Sequence, residues 1–349
     1  MTSENTVPLS VLDTSPVSAG QTSADALAAT TRLARSADEA GYARFWVAEH
    51  HAMPAVASTS PGVLLAHLAS ATARIRVGSG GVMLPNHPTL VVAEQFAMLE
   101  ALHPGRIDLG VGRAPGADPT TAAALRRTVE GLGAEDFPAE VVDLLALLGV
   151  DLPGRAASLH ARRLSATPVA SSSPEVWLLG SSTFSAQLAG TLGLPFSYAH
   201  HFGTGGTVPA AETYRRSFRP SPVLDAPRLM VSASVLVADT DAEAHFLAGP
   251  SRVMALSLRT GRPLGPVVSP EDAARELAAL DPEASADFFA RVPGTQVATT
   301  ADRAVDELAA LVARTGADEL MITGTAFDAS TRVRTLEQVA ARWPAAVAA

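Results

Sequence analysis

Apolar positions fall into two patterns that take turns along the chain. Short strand-type runs occur at Val7 to Leu12, Arg44 to Ala48, Ile75 to Val77 and Arg106 to Leu109. Longer stretches with helical spacing lie between them. Ser23 or Asp25 caps the first, which runs to about Ala40 with Leu27, Leu33 and Ala37 on one face and stops at Gly41. Ser60-Pro61 opens the second, with proline in the first turn, and it runs to about Ala73. The third spans Pro88 to Leu102 and closes at His103-Pro104-Gly105. Strand followed by helix, repeated, predicts a parallel sheet with right-handed crossovers.

The rhythm loosens over 114–174, where helices are expected near Thr120 to Glu130 and Ala139 to Leu148. It resumes with strands at Glu175 to Leu179, Leu194 to Tyr198 and Arg228 to Ala238, and helices at about Phe184 to Leu192 and Pro209 to Phe218. A proline-punctuated excursion over 249–299, lid-like in composition, carries a helix near Pro270 to Leu280. A helix at Ala301 to Arg314, an eighth strand at Glu319 to Ile322 and a last helix from about Ser330 to Ala341 follow. Eight such units predict a (β/α)₈ TIM barrel, one domain over 1–349, with insertions after the fourth and seventh strands. An open doubly wound sheet with a second domain is the alternative, and the 114–174 break is its best support.

Charge and composition narrow the function. The 349 residues carry a formal net charge of -9 and no basic block, which argues against nucleic acid. No apolar run approaches the roughly 20 residues that span a bilayer. Met1 to Val7 is polar, with no signal-peptide core, so a cytoplasmic protein is expected. The chain has no Cys, which removes thiolate nucleophiles, iron–sulfur clusters and zinc–thiolate sites. It also has no Lys, since all 26 basic residues are Arg, which removes Schiff-base chemistry and a phosphate-loop lysine. Any anion must be held by Arg, hydroxyls and backbone N–H groups.

In a barrel the unusual residues all fall at strand C-termini, where active sites of this fold sit. These are Glu49-His50-His51, Gly78 to Gly81, Gly112-Arg113, Gly180-Ser181-Ser182 and His200-His201. The competing reading of the first is a buried strand running into a polar loop. Adjacent strand residues point to opposite faces, so neither His50 with His51 nor His200 with His201 forms a metal-binding pair, and no metal is expected. Gly180-Ser181-Ser182, between a strand and a helix, is either an anion site or a helix cap. Arg113 can supply bidentate charge to an anion. Arg126-Arg127 are phosphate clamps or solvated surface. Gly110-Val111-Gly112-Arg113-Ala114-Pro115-Gly116 is an imperfect dinucleotide fingerprint, its third glycine one residue late. Gly80-Gly81 lets backbone approach a flat ligand closely, or is a plain turn.

Taken together, Glu49-His50-His51, Gly78 to Pro85, Pro104 to Gly110 and Leu179 to Ser182 resemble the bacterial luciferase-like flavin monooxygenases, in particular their alkanal-monooxygenase-like branch. The likeness covers about Pro8 to Ala238. It implies a barrel that binds reduced FMN at the strand C-termini. Oxygen then adds at C4a, and the resulting peroxyflavin oxidises a small organic substrate such as an aldehyde. It implies that His50 transfers a proton near C4a and that Glu49 lies by the ring. It places a non-prolyl cis peptide at Gly80-Gly81. It also assigns the flavin phosphate to Arg113, Arg126, Ser182 and Ser185, and Ser181 and His200 are further cofactor-binding candidates. A homodimer and a separate flavin reductase come with the likeness, since no nicotinamide site is evident. True luciferases carry a reactive cysteine where this chain has Gly112, so light emission is not expected. Two other readings stand beside this one: an FMN- or deazaflavin-dependent reductase on the same barrel, with deazaflavin the less expected cofactor, and a non-catalytic flavin-binding partner protein.

Overall fold

A computed structural model describes residues 7–114, 119–125, 135–203, 205–262, 264–280 and 296–347. Eight parallel strands close on themselves. They are β1 (Leu9–Asp13), β2 (Arg44–Val47), β3 (Arg76–Met83), β4 (Ile107–Gly112), β5 (Glu175–Gly180), β6 (Phe196–Tyr198), β7 (Leu229–Val237) and, after an additional strand β8 (Gln296–Thr299), β9 (Glu319–Thr323). The ring runs β1 to β7, passes from β7 to β9, and returns to β1 through Leu9 opposite Leu320. The barrel reading therefore holds and the open sheet does not.

Helices coat the outside. Between the first four strands lie α1 (Ser23–Glu39), α2 (Pro61–Ala71) and α3 (Thr89–Leu102). The insertion after β4 carries α4 (Pro119–Ala124) and α5 (Phe137–Leu147). Helices α6 (Thr183–Leu192) and α7 (Thr207–Ser217) follow β5 and β6. The insertion after β7 holds α8 (Asp241–Leu247), α9 (Gly249–Thr260), α10 (Pro270–Ala278) and β8. Helices α11 (Ala301–Thr315) and α12 (Ala329–Val347) flank β9.

Three local expectations change. The cap of α1 is Thr22, not Ser23 or Asp25; its hydroxyl accepts from the Asp25 N–H at 3.2 Å while the Asp25 carboxylate accepts the Thr22 N–H at 2.9 Å. Strand β3 does not stop at Val77 but continues through its glycines to Met83, because β4 pairs with it to that point across a register shift. Strand β8 was not anticipated within the second excursion; it pairs with the C-terminal half of β7, Ser234 to Val237.

Alternation along the strands sorts the core. Phe45 and Val47 pack outward against helices, whereas Trp46 and Ala48 point inward with Leu12, Trp177, Met230 and Met321. Trp46 and Trp177 meet edge to face at 5.6 Å between centroids and fill the barrel axis. Below them, at the strand N-termini, lies a buried ionic plug. Arg44 reaches Glu319 at 2.9 Å and both Asp108 and Glu175 at 2.8 Å. Arg76 joins through Asp108, and Arg228 through Glu319 and Glu175. Three guanidinium groups against three carboxylates leave the plug neutral. Burial disfavours the Arg44 charge, but Asp108, Glu319 and Glu175 outweigh it and hold the group protonated. Among the described residues, plug and tryptophans together fill the lower end of the barrel.

Candidate active site

At that upper end a cavity of about 450 Å³ opens, the size of a cofactor or drug-sized site. A second void, of about 20 Å³ between β1, β9 and α12, is large enough for one water. The inward row of β2 continues past the strand: Trp46, Ala48 and His50 all line the large cavity. The same alternation sends Glu49 and His51 the other way. Neighbouring parts of the cavity wall come from Gly80-Gly81 on β3 and from Gly112 and Arg113 at the end of β4. Ser181, Ser182 and Ser185 at the start of α6 line it as well.

His50 is held by its backbone, whose N–H donates to Ser58 O at 3.1 Å. Its ring is not held: Nδ1 is sealed from solvent with no partner among the described residues. Burial, and secondarily His51, lowers its pKa against the opposing pull of Glu49, so the imidazole is neutral at pH 7. A neutral, unanchored imidazole on a cavity wall can accept or donate one proton.

Glu49, expected beside the ring, is fully buried and is not among the residues that line the cavity. Its Oε1 accepts from His51 Nε2 at 2.9 Å, His87 Nε2 at 2.9 Å and Asn86 Nδ2 at 3.1 Å; Oε2 accepts from the Met83 N–H at 3.1 Å. A carboxylate only accepts, so both imidazoles present Nε2–H. Burial raises the Glu49 pKa, but these hydrogen bonds, led by His87, pull it below its usual value. Glu49 thus ties the ends of β2 and β3 together from behind the cavity. The expectation of no metal rested on adjacent histidines facing apart. His51 and His87 nevertheless converge on Glu49, and this trio is the one described group whose donor atoms lie close enough, within 4.8 Å, to hold a metal ion. In the structure the four N–H donors already satisfy the carboxylate.

The glycines are needed for space. A Cβ on Gly81 would lie 2.8 Å from Gly110 O, and one on Gly80 would lie 2.7 Å from Leu12 Cδ1. The Gly80-Gly81 peptide bond is cis, as the family likeness implies. Gly180 sits equally tightly, since its Cβ would lie 2.3 Å from the Ser185 hydroxyl and Cβ. Close packing of β5 on α6 therefore brings the first N–H groups of α6 to the cavity wall. Arg113 stacks on Phe184 of α6, with its guanidinium carbon 4.3 Å from the ring centroid. Cation, helix N-terminus and serine hydroxyls together suit a phosphate.

Of the remaining anticipated residues, one cannot be placed and one is found off the cavity wall. Arg126 lies outside the described residues. His200 does not line the cavity; its Nδ1 pairs with Thr207 Oγ1 at 2.7 Å. The neighbouring His201 lines it instead, with Nδ1 2.6 Å from Ser232 Oγ. Burial, then the nearby His200 and His50, depress the His201 pKa to about 4. The chain leaves β6 into a 3₁₀ turn at His200–Phe202, which breaks the period of two on which a choice between the histidines depends. Sequence reasoning also passed over the inward Ser232 and Ser234 of β7. Their alternation with Val231, Ala233 and Val235 was a usable signal.

The fold and site define a closed parallel barrel with, among the described residues, one large cavity at the strand C-termini, lined by His50, a glycine edge, Arg113 and the serines at the start of α6. The chain belongs to the luciferase-like monooxygenase family, whose model matches residues 7–342. It is 38% identical over 344 residues to the luciferase-like monooxygenase of Escherichia coli K12, covering 96% of each chain. The solved structure of apo-MsnO8 is similar over 97% of this chain and 98% of that one, at 36% identity and a TM-score of 0.87. The FMN complex of the oxygenating constituent of 3,6-diketocamphane monooxygenase from Pseudomonas putida has a TM-score of 0.70 over 96% of this chain and 97% of that one. At 19% identity this shows a shared fold. Among the described residues no helix is long and apolar enough to cross a membrane.

Proposed function

We propose that this protein is a flavin-dependent monooxygenase that uses reduced FMN and O₂ to oxidise a small neutral organic molecule such as an aldehyde. The observation that carries this is the coincidence, in one cavity, of an unanchored neutral His50, the close-packed Gly80-Gly81 edge and the Arg113–α6 anion cradle. Bound reduced FMN would supply the two electrons that activate oxygen. Arg113 and the hydroxyls of Ser181, Ser182 and Ser185 would hold its phosphate. Gly80 and Gly81, without side chains, would let backbone lie against the flat ring. His50 would move one proton to or from the reacting atoms through its imidazole. Glu49 acts one step back: by fixing His51, His87 and the Met83 N–H it positions the loop that carries His50.

The test is oxygen uptake with chemically reduced FMN and a panel of aldehydes. Substrate-dependent oxygen consumption with one oxygen atom in the product supports the monooxygenase. Hydride transfer to substrate without oxygen use would make it a reductase, and tight FMN binding without turnover would make it a carrier. A separate reductase supplies the reduced flavin in this proposal. We also propose a homodimer, supported by the apolar residues left open on α2 and α3: Val63, Met98 and Leu102 are 72%, 53% and 63% exposed.

A further inference from the structure

Behind the wall that carries His50 lies a group of side chains that the flavin chemistry does not use. Glu49 and His51 are two positions apart on extended chain, which puts both on the face turned away from the cavity. His87 reaches them from another strand end. Strand β3 runs into a single 3₁₀ turn at Leu84–Asn86, and that turn delivers Asn86 and His87 to the same carboxylate. The Nε2 atoms of His51 and His87 each lie 2.9 Å from Glu49 Oε1. One ligand atom from each of the three residues falls within 4.8 Å of the others. Atoms at the shorter spacing subtend roughly 90° at an ion held by bonds of about 2.1 Å, so small side-chain shifts bring all three onto one cation.

The charge balance at Glu49 points the same way. Three buried carboxylates elsewhere face guanidinium groups: Asp13 faces Arg332, Asp108 faces Arg44 and Arg76, and Glu319 faces Arg44 and Arg228. Glu49 is as buried as these, yet among the described residues no Arg pairs with it. Its partners are two imidazoles, one amide and one backbone N–H. Buried charge is ordinarily met by an opposite charge or by a metal ion. The side chains of His51 and His87 are 19% and 32% exposed, so water and an ion can reach the group from outside the barrel.

We infer that Glu49, His51 and His87 form a binding site for one divalent first-row transition cation, of the zinc or cobalt class, at the back of the His50 wall. Two imidazole nitrogens and one carboxylate oxygen favour such a cation over Mg²⁺ or Ca²⁺, which take oxygen ligands. On binding, each ring carries its proton on Nδ1 and offers the Nε2 lone pair, so a neutral ring stays neutral. Glu49 Oε1 changes from accepting two imidazole N–H groups to ligating the ion. Asn86 Nδ2 and the Met83 N–H stay on the carboxylate and fix its orientation, the role of outer contacts at metal sites. The remaining positions on the ion go to water. The ion cross-links the end of β2 to the turn after β3 and so steadies the segment that carries His50. None of the three ligands lines the flavin cavity, so the inference goes beyond the flavin reading and does not rest on it.

The test is calorimetric titration of the chelator-treated, FMN-free protein with ZnCl₂, with and without excess MgCl₂. Saturation at one Zn²⁺ per chain is expected, undisturbed by Mg²⁺ and accompanied by a rise in melting temperature. His51→Gln and His87→Gln each keep a side-chain N–H for Glu49 but lose the imidazole. Each should weaken Zn²⁺ by at least tenfold, the lower end of what loss of even an outer contact costs a metal site. A second reading needs no variant: crystals of the unaltered chain soaked in ZnCl₂ should show an anomalous peak between Glu49, His51 and His87. Absence of saturable Zn²⁺ binding, equal occupancy by Mg²⁺, folded glutamine variants that bind Zn²⁺ as tightly as the parent, or an anomalous peak only elsewhere would each overturn the inference. A protein that takes up Zn²⁺ as expected but does not bind FMN would sustain this site and defeat the flavin reading alone.

Discussion

At the scale of single residues, His50 and Glu49 separate into two kinds of work. His50 meets the cavity, and Glu49 holds the scaffold behind it. His50→Ala is therefore expected to keep FMN affinity within about threefold while turnover falls by about 10²-fold or more, the usual scale for losing a proton-transfer group. Oxygen-uptake kinetics beside an FMN titration check this, and undiminished turnover would remove His50 from the chemistry. The histidines also set an acid limit. In the folded chain His50, His200 and His201 all have pKa values below 6.5, burial being the first cause in each. Below pH 6.5 the unfolded chain takes up protons that the native state refuses, so stability rises with pH in this window and is lost on acidification. For His201 the loss runs from 6.5 down to about 4. Urea midpoints should fall between pH 7 and pH 5, and His201→Asn should flatten that slope. Much at this scale was legible. The inward row Trp46, Ala48, His50 follows from strand alternation alone. The partners of Glu49 were not, because Asn86 and His87 reach it from another strand end 37 and 38 positions away, a contact no local pattern encodes.

At the scale of elements, close approach decides what the strands can present. The anion cradle exists because β5 lies tightly against α6 at Gly180. Gly180→Ala should push α6 outward. The expected cost is about 1–3 kcal/mol of stability, as for other overpacked sites, together with weaker FMN binding. Thermal denaturation and flavin fluorescence would show both, and unchanged values would place the phosphate elsewhere. At the opposite strand ends, Arg44→Ala leaves Glu319, Asp108 and Glu175 buried around a lost cation. A cost of about 3–5 kcal/mol is expected, with FMN affinity in the folded fraction unchanged. Helices α2 and α3 were readable within a residue or two at each end, from their proline openings and, for α3, the His103-Pro104-Gly105 stop. Strand β3 was under-read, because glycine weakens strand propensity and its extension depends on pairing with β4. Strand β8 was hidden because its four residues, Gln296 to Thr299, pair only with the upper half of β7.

At the scale of the whole molecule, strand–helix alternation was enough to give the barrel, because a parallel strand cannot return to its sheet without a crossover. It was also enough to place the polar strand ends at one rim. It did not show that the lower end is closed by an ionic plug and a tryptophan pair, since those charges sit singly at strand starts and look like ordinary strand boundaries. Above that end, among the described residues, lies one large cavity, and the account stands or falls on what fills it. Anaerobic titration of the purified protein with reduced FMN, followed by fluorescence of Trp46 on the cavity wall, tests this most directly. Quenching is expected to saturate at one FMN per chain, and Arg113→Ala should weaken it at least tenfold. Absence of saturable quenching, or an Arg113→Ala variant that binds as tightly as the parent, would contradict the assignment of this cavity to a flavin.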